Sequence, residues 1–304
     1  MSTPKPFNIS KKMVWDAYES VKANMGAPGV DGQSVTDFEA DEKRQLYKLW
    51  NRMSSGSYFP PPVKAVEIPK KDGKGTRILG VPTVADRIAQ TVVAMTLAPE
   101  VEPKFHPDSY GYRKGRSAHD AIGQCRKRCW KNDWVVDLDI KSFFDTVPHD
   151  LILKAVSRHT DEKWVLLYVE RWLTAPMQSA DGDLIQRDRG TPQGSAISPM
   201  LANLFMHYAF DNWLQKNFPH ISFERYVDDG VTRMQGRKRC RRSNQPSNAA
   251  RVMEVWPSVV ALQEVTTNHC KLRRSRAGVG SVVEKAHKSA SGVNRAGERK
   301  RTIR

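Results

Sequence analysis

The stretch FERYVDDGVT, residues 223–232, constrains this chain most, because it sets Asp228 and Asp229 side by side between two runs that read as strands. Phe223, Arg225 and Val227 alternate with Glu224 and Tyr226, Asp-Asp-Gly supplies turn chemistry, and Val231 resumes an extended pattern. Adjacent carboxylates at a hairpin tip either form a solvated acidic turn or share a cation that offsets their repulsion. The second reading needs a further acid from elsewhere in the fold. VVDLDIKSFFDTVPHD, residues 135–150, offers one. Asp137 and Asp139 are two apart on a strand and share a face, while Val136, Leu138 and Ile140 point to the other. Such strand-end acids can cap a following helix, but an acid ending an apolar strand is costly to bury unless paired or metal-bound. Asp139, Asp228 and Asp229 together are a donor set for two Mg²⁺ ions, since Mg²⁺ prefers carboxylate oxygen and keeps water or substrate phosphate in its other positions. Two such ions roughly 3.5–4 Å apart activate an attacking hydroxyl and stabilise the leaving oxygen of an in-line displacement.

The rest of the chain interleaves helices with short strands. Residues 11–24 and 37–53 have helical periodicity, with a Gly-rich turn between them. Val63–Ile68 and Thr76–Leu79 flank a KKDGKG turn, residues 84–101 read as a helix stopped near Pro99, and a second helix opens at about Ser117. Residues 134–140 form a strand, 149–175 one or two helices, and Asp181-Gly182 the turn of a hairpin. Ser198 and Pro199 then open a helix. Short, hairpin-linked strands near the acids predict an α+β fold with an antiparallel sheet packed on helices. Four cysteines without zinc-site spacing read as buried or idle thiols of a reducing compartment. The first residues lack the apolar stretch of a signal peptide, which predicts a cytoplasmic protein.

The net charge of +16 suggests a nucleic-acid partner, but it is unevenly placed. Residues 1–231 carry 31 basic and 29 acidic side chains, and residues 232–304 carry 18 and 4. Function in the first three quarters therefore rests on local sites. IPKKDGKGTR sets Lys70 and Arg77 on opposite arms of a hairpin, either a solvated basic turn or an anion site. YGYRKGRSAH gathers Arg113, Lys114 and Arg116 with Tyr110 and Tyr112, a mixture suited to a phosphate backbone with stacked bases and equally to a plain surface loop. In GTPQGSAISP, Gly190 and Gly194 permit close backbone approach and Gln193 offers an amide, ahead of an ordinary capped helix.

Six blocks in order, GAPGVDG, IPKKDGKGTRILGVPTVADRIAQ, FHPDSYGYRKGRSAHDAI, VVDLDIKSFFDTVPHD, GTPQGSAISPMLANLF and YVDDGV, resemble the reverse transcriptase and maturase encoded by group II introns. The resemblance covers roughly residues 20–232. It implies a right-hand polymerase of fingers and palm that copies an intron RNA template into DNA from a primer, using dNTPs and two Mg²⁺ ions. It assigns Asp139, Ile140 and Asp228 to the metals, and Asp229 to the second acid of the hairpin. Asp137 matches less well, because the family's acid lies five residues before the aromatic represented here by Phe144. It places Phe144 under the incoming sugar, where a ring excludes a ribose 2′-hydroxyl and can pack in the core as well. Lys70, Arg77 and Gln193 fall to the nucleotide, and Arg113, Lys114, Arg116, Gly190 and Gly194 to nucleic acid.

The expected organisation is residues 1–130 as mainly fingers with an N-terminal extension, 131–232 as palm, and 233–304 as a basic tail with no thumb. That tail is either a disordered RNA-binding arm or out of frame, since codons read one base on from Met234 permit a family-like continuation. The chain as written is expected to have little activity. A non-enzymatic splicing cofactor on intron RNA, and a reverse transcriptase of retron or diversity-generating type, are the alternative readings. Each implies a nucleic-acid-associated protein of a bacterial cytoplasm or organellar matrix, with no membrane partner.

Overall fold

The computed structural model describes residues 5–69, 75–131, 134–140, 142–234 and 265–271. Helices α1 (Lys11–Asn24), α2 (Val35–Glu39) and α3 (Glu42–Ser54) come first, then strands β1 (Val63–Pro69) and β2 (Thr76–Val81) and helix α4 (Val84–Val101). Helix α5 (Ala118–Cys129) and strand β3 (Trp134–Ile140) follow, then helices α6 (Phe143–Thr146), α7 (His149–Val156) and α8 (Lys163–Thr174). Strands β4 (Met177–Gln178) and β5 (Leu184–Ile185) precede helix α9 (Ser198–Met206), which runs through a π-helical turn, His207–Asn212, into α10 (Trp213–Asn217). Strands β6 (Ser222–Tyr226), β7 (Asp229–Met234) and β8 (Val265–Lys271) complete the described elements.

These fall into two compact units, Met1–Pro103 with Phe144–Ala202, and Lys104–Phe143 with Asn203–Arg304. The sequence expectation of breaks near 130 and 232 differs from this division. The chain changes unit at 103, 143 and 202 instead.

The first unit is held by capped helices around a mixed sheet of order β2-β1-β4-β5. The Ser10 hydroxyl accepts from the Met13 amide to start α1, which buries Val14, Ala17, Tyr18 and Val21 at helical spacing. The single helix expected over 37–53 is two, because Ser34 and Asp37 form a capping box on α2 and α3 starts afresh after Asp41. Helix α4 continues two residues past Pro99, whose missing N–H removes only one bond near the helix end. Its Asp86 carboxylate is buried but fully engaged, accepting from Tyr58 Oη (2.8 Å), Trp172 Nε1 (2.7 Å) and Gln90 Nε2 (2.9 Å). Burial still pushes this carboxyl up to about 6.

The second unit carries an antiparallel sheet of order β6-β7-β3-β8, the expected α+β arrangement. Cys125 and Cys129 of α5, both buried free thiols, cluster with Val135 and Val231 on one face of this sheet. Val136, Leu138 and Ile140 are buried on the other. Arg128 of α5 reaches Asp108 and Glu224, each at 2.8 Å, and Glu224 also pairs with the buried Arg233. Strand β8 places residues 265–271 of the expected tail in the sheet, against the disordered-arm reading of that stretch. Its β-branched Val265, Thr266 and Thr267 pair with Ile140, Asp139 and Leu138, covering an edge of β3 that would otherwise present unpaired backbone groups. The remainder of the expected tail, 235–264 and 272–304, lies outside the described residues.

Candidate catalytic site

Two neighbouring strand pairings assemble the acids. Strand β3 pairs with β7 so that Asp139 lies directly opposite Asp229, and β6 pairs with β7 so that Tyr226 lies opposite Asp229. The turn between β6 and β7 is therefore Val227-Asp228 alone, and Asp229 and Gly230 already belong to the strand. The sequence expectation put the turn at Asp-Asp-Gly, one residue late. Val227 takes up the reversal with φ +64°, left-handed backbone that a β-branched side chain rarely adopts. Asp137 faces Val231 instead of an acid, two residues further from the turn, and its charge acts on the Cys125 thiol. Ile140 ends β3 with its side chain buried and Val265 as its register partner.

Three carboxylates meet at this end of the sheet. Like charges set directly opposite on neighbouring strands are destabilising. Burial first, and then the charges of Asp229 and Asp139, push the Asp228 carboxyl up to about 7 against the opposing pull of Arg225. Desolvation lifts Asp139 as well, although its side chain keeps an exposed face. Among the described residues no three His, Cys, Asp or Glu side chains already stand in metal-holding geometry. The donor set nonetheless fits a hard divalent cation, since every group is a carboxylate and each gains from positive charge between them.

The other candidate residues divide between the units. In the first, Gln193 donates its side-chain amide to Asp145, whose carboxyl burial raises, and its backbone carbonyl accepts from the Gly80 backbone amide at 2.7 Å. Phe144 is half-buried on α6, and its carbonyl accepts from the Thr191 amide at 2.6 Å. Gly190, at φ +77°, passes so close to α6 that a Cβ would sit 2.7 Å from the Asp145 backbone. Gly194, at φ +112°, would likewise put a Cβ 2.7 Å from the Gly80 carbonyl oxygen. Both glycines thus serve approach of this protein's own backbone. Arg77 is exposed on β2 opposite Ile68, and Lys70 lies outside the described residues.

In the second unit, Lys114 is exposed. Arg116 lies over the Tyr110 ring, 5.3 Å from its centroid, and donates to the Pro107 carbonyl. Arg113 is turned inward. It is buried and donates to the His106 and Ser109 carbonyls at 2.9 and 2.8 Å, which braces the loop.

Sequence reasoning missed Asp145 and Gln90 in the first unit, and Arg225 with Asp211 in the second. A faint signal existed for Arg225, a charged residue in the apolar phase of β6 two places before the turn. Asp145 sits in SFFDT among helix-compatible residues and carries no such mark.

The sequence profile described as reverse transcriptase (RNA-dependent DNA polymerase) matches residues 68–271, which takes in both acidic strands and β8. Protein YkfC of Escherichia coli is 38% identical over 203 residues, covering 63% of this chain and 51% of its own length. The COX1/OXI3 intron 1 protein of Saccharomyces cerevisiae is 34% identical over 203 residues, 67% of this chain and 24% of its own. The group II intron-encoded protein LtrA of Lactococcus lactis is 30% identical over 193 residues, 63% and 32% respectively. The chain thus spans between about a quarter and half of these curated relatives. Among the described residues no helix is long and apolar enough to cross a membrane. With both acidic strands inside the matched span, the chain belongs to the reverse transcriptase (RNA-dependent DNA polymerase) family, among proteins of the group II intron-encoded kind.

Proposed function

We propose that this chain carries the nucleotidyl-transfer site of an RNA-directed DNA polymerase working on group II intron RNA, built as fingers and palm. The observation that carries this reading is the register that sets Asp139 opposite Asp229 with Asp228 in the adjoining turn. In the reaction, a primer 3′-hydroxyl displaces pyrophosphate from the α-phosphate of a dNTP. Asp139 and Asp228, with the Ile140 carbonyl, would hold the divalent cations, and Asp229 would add negative charge beside them. Bound there, Mg²⁺ would supply hydroxyl activation and neutralisation of the phosphate charge.

The remaining work is positioning. Arg77 and Lys70 would bind the triphosphate, arginine by a planar fork and lysine as a point charge. Phe144 would press on the sugar and exclude a 2′-hydroxyl. Gln193, pre-oriented by Asp145, would meet nucleotide or template, and Lys114 and Arg116 suit phosphates of the nucleic acid.

The test compares the chain with Asp228→Ala in Mn²⁺ titrations followed by electron paramagnetic resonance, and in dNTP incorporation on a primed RNA template. Loss of the tight Mn²⁺ site is expected, together with loss of whatever incorporation the chain shows. Equal Mn²⁺ binding, or incorporation retained by Asp228→Ala, would overturn the assignment. RNA binding that persists while neither the parent nor the variant binds Mn²⁺ would favour the splicing-cofactor reading.

A further inference from the structure

The turn that presents Asp228 is held from behind by one side chain. Arg225 is 1% exposed, and each of its five N–H donors has an acceptor. Nε and Nη2 bind the two Asp211 carboxylate oxygens, both at 2.8 Å. Nη2 also reaches Ser109 Oγ at 2.9 Å, and Nη1 reaches Asn203 Oδ1 at 3.1 Å. The fifth bond runs from Nη1 to the carbonyl of Val227, at 2.8 Å.

Val227 is the left-handed residue of the turn, and a β-branched side chain there persists only when its surroundings over-determine the backbone. The same network closes round it from the other side. Asn203 Nδ2 donates to the Gly111 carbonyl at 2.6 Å, and Gly111 lies so near the turn that a Cβ would meet Val227 Cγ2 at 2.4 Å. The main chain of Arg225 is tied in as well, its amide donating to the Asp108 carbonyl and its carbonyl accepting from the Tyr110 amide, both at 2.9 Å.

We propose that Arg225 is a positioning residue for Asp228: braced by Asp211, Asn203 and Ser109, it pins the Val227 carbonyl, keeps that residue left-handed, and so fixes where the acid of the turn is presented. The importance of this placement for polymerisation rests on the function proposed above. The geometric claim does not, and the two can fail separately. Lysine at 225 would keep a charge beside Asp211 but could not hold Asp211, Asn203, Ser109 and the Val227 carbonyl at once. Asn203→Ala removes one brace and leaves the Arg225–Asp211 pair intact, so it keeps the comparison available if Arg225→Lys fails to fold. Glycine at 227 adopts the left-handed backbone freely and needs no pinning.

The experiment is hydrogen exchange by mass spectrometry on the whole chain without metal, comparing the peptide over 226–231 with one over α8. Arg225→Lys should speed exchange at the turn about tenfold and Asn203→Ala about threefold, with α8 unchanged. Adding Val227→Gly to either variant should return the turn to within about twofold of the parent, which a merely structural role for Arg225 would not produce. Unchanged turn exchange in whichever variants fold, or loosening that Val227→Gly does not reverse, would overturn the proposal. Mn²⁺ titration of the parent and Asp228→Ala reports separately on the polymerase reading.

Discussion

At the scale of single residues, the Asp228 carboxyl ties the site to pH. Its proton leaves at about 3.9 in an unfolded chain and at about 7 in the fold, where burial and two neighbouring acids oppose the charge. Between those values the folded state binds more protons than the unfolded one. The stability this group contributes is therefore fully present below about pH 4 and is lost as pH rises through about 7. Without divalent cations, Asp228→Asn should melt several degrees above the parent at pH 8, by an effect on the order of a few kcal/mol, with the gap narrowing towards pH 5. Mg²⁺ at pH 8 should raise the melting temperature of the parent and leave the variant nearly unchanged. Calorimetry at the two pH values checks both statements, and a gap that widens on acidification would contradict them.

Whole elements in the first unit are joined by one amide. Gln90 on α4 donates to Asp86 Oδ2, while its carbonyl oxygen accepts from Ser195 Oγ at 2.7 Å and the Ala196 amide at 2.8 Å. The segment 191–196, which carries Gln193, is thereby fastened to α4 at one end and to Gly80 of β2 through the Gln193 carbonyl. Gln90→Ala leaves several buried polar groups without that partner and should cost about 2–4 kcal/mol. Ser195→Ala deletes a single bond and should cost about 1 kcal/mol. Urea denaturation of both variants measures the difference, and equal small losses would show that the segment is held by its other contacts. The boundaries of α1 and β3 were legible in the sequence because caps and periodicity are local. The division between α2 and α3 was not, since α3 starts after Asp41 with no side-chain cap bond to mark it, and neither was strand β8, which its pairing with β3 decides.

For the molecule as a whole, charge is the long-range property. Residues 272–304 hold ten basic and two acidic side chains, beyond the end of the family match at residue 271. A chain ending at residue 271 should bind RNA of any sequence more weakly. Its plot of log affinity against log salt should also be shallower, because each neutralised phosphate releases counterion. Fluorescence anisotropy at several salt concentrations reads both changes, and an unaltered slope would place the RNA contacts elsewhere. The family relationship was legible here because six short blocks keep their order, and the profile match across 68–271 bears out that reading.

By itself the sequence determined which chemistry is available: acids at a strand end and at a hairpin, an aromatic and basic neighbourhood, and an α+β order of elements. Those are local facts, set by residue type and spacing. Only the tertiary structure fixed how those acids meet, because register is a property of two strands and places Asp139, not Asp137, opposite Asp229. It also decided that the turn falls at Val227-Asp228, and that Arg225, Asp211, Asn203 and Ser109 converge behind it from separate stretches of the chain. A buried arginine needs five acceptors, and only a folded chain can bring those acceptors to one place.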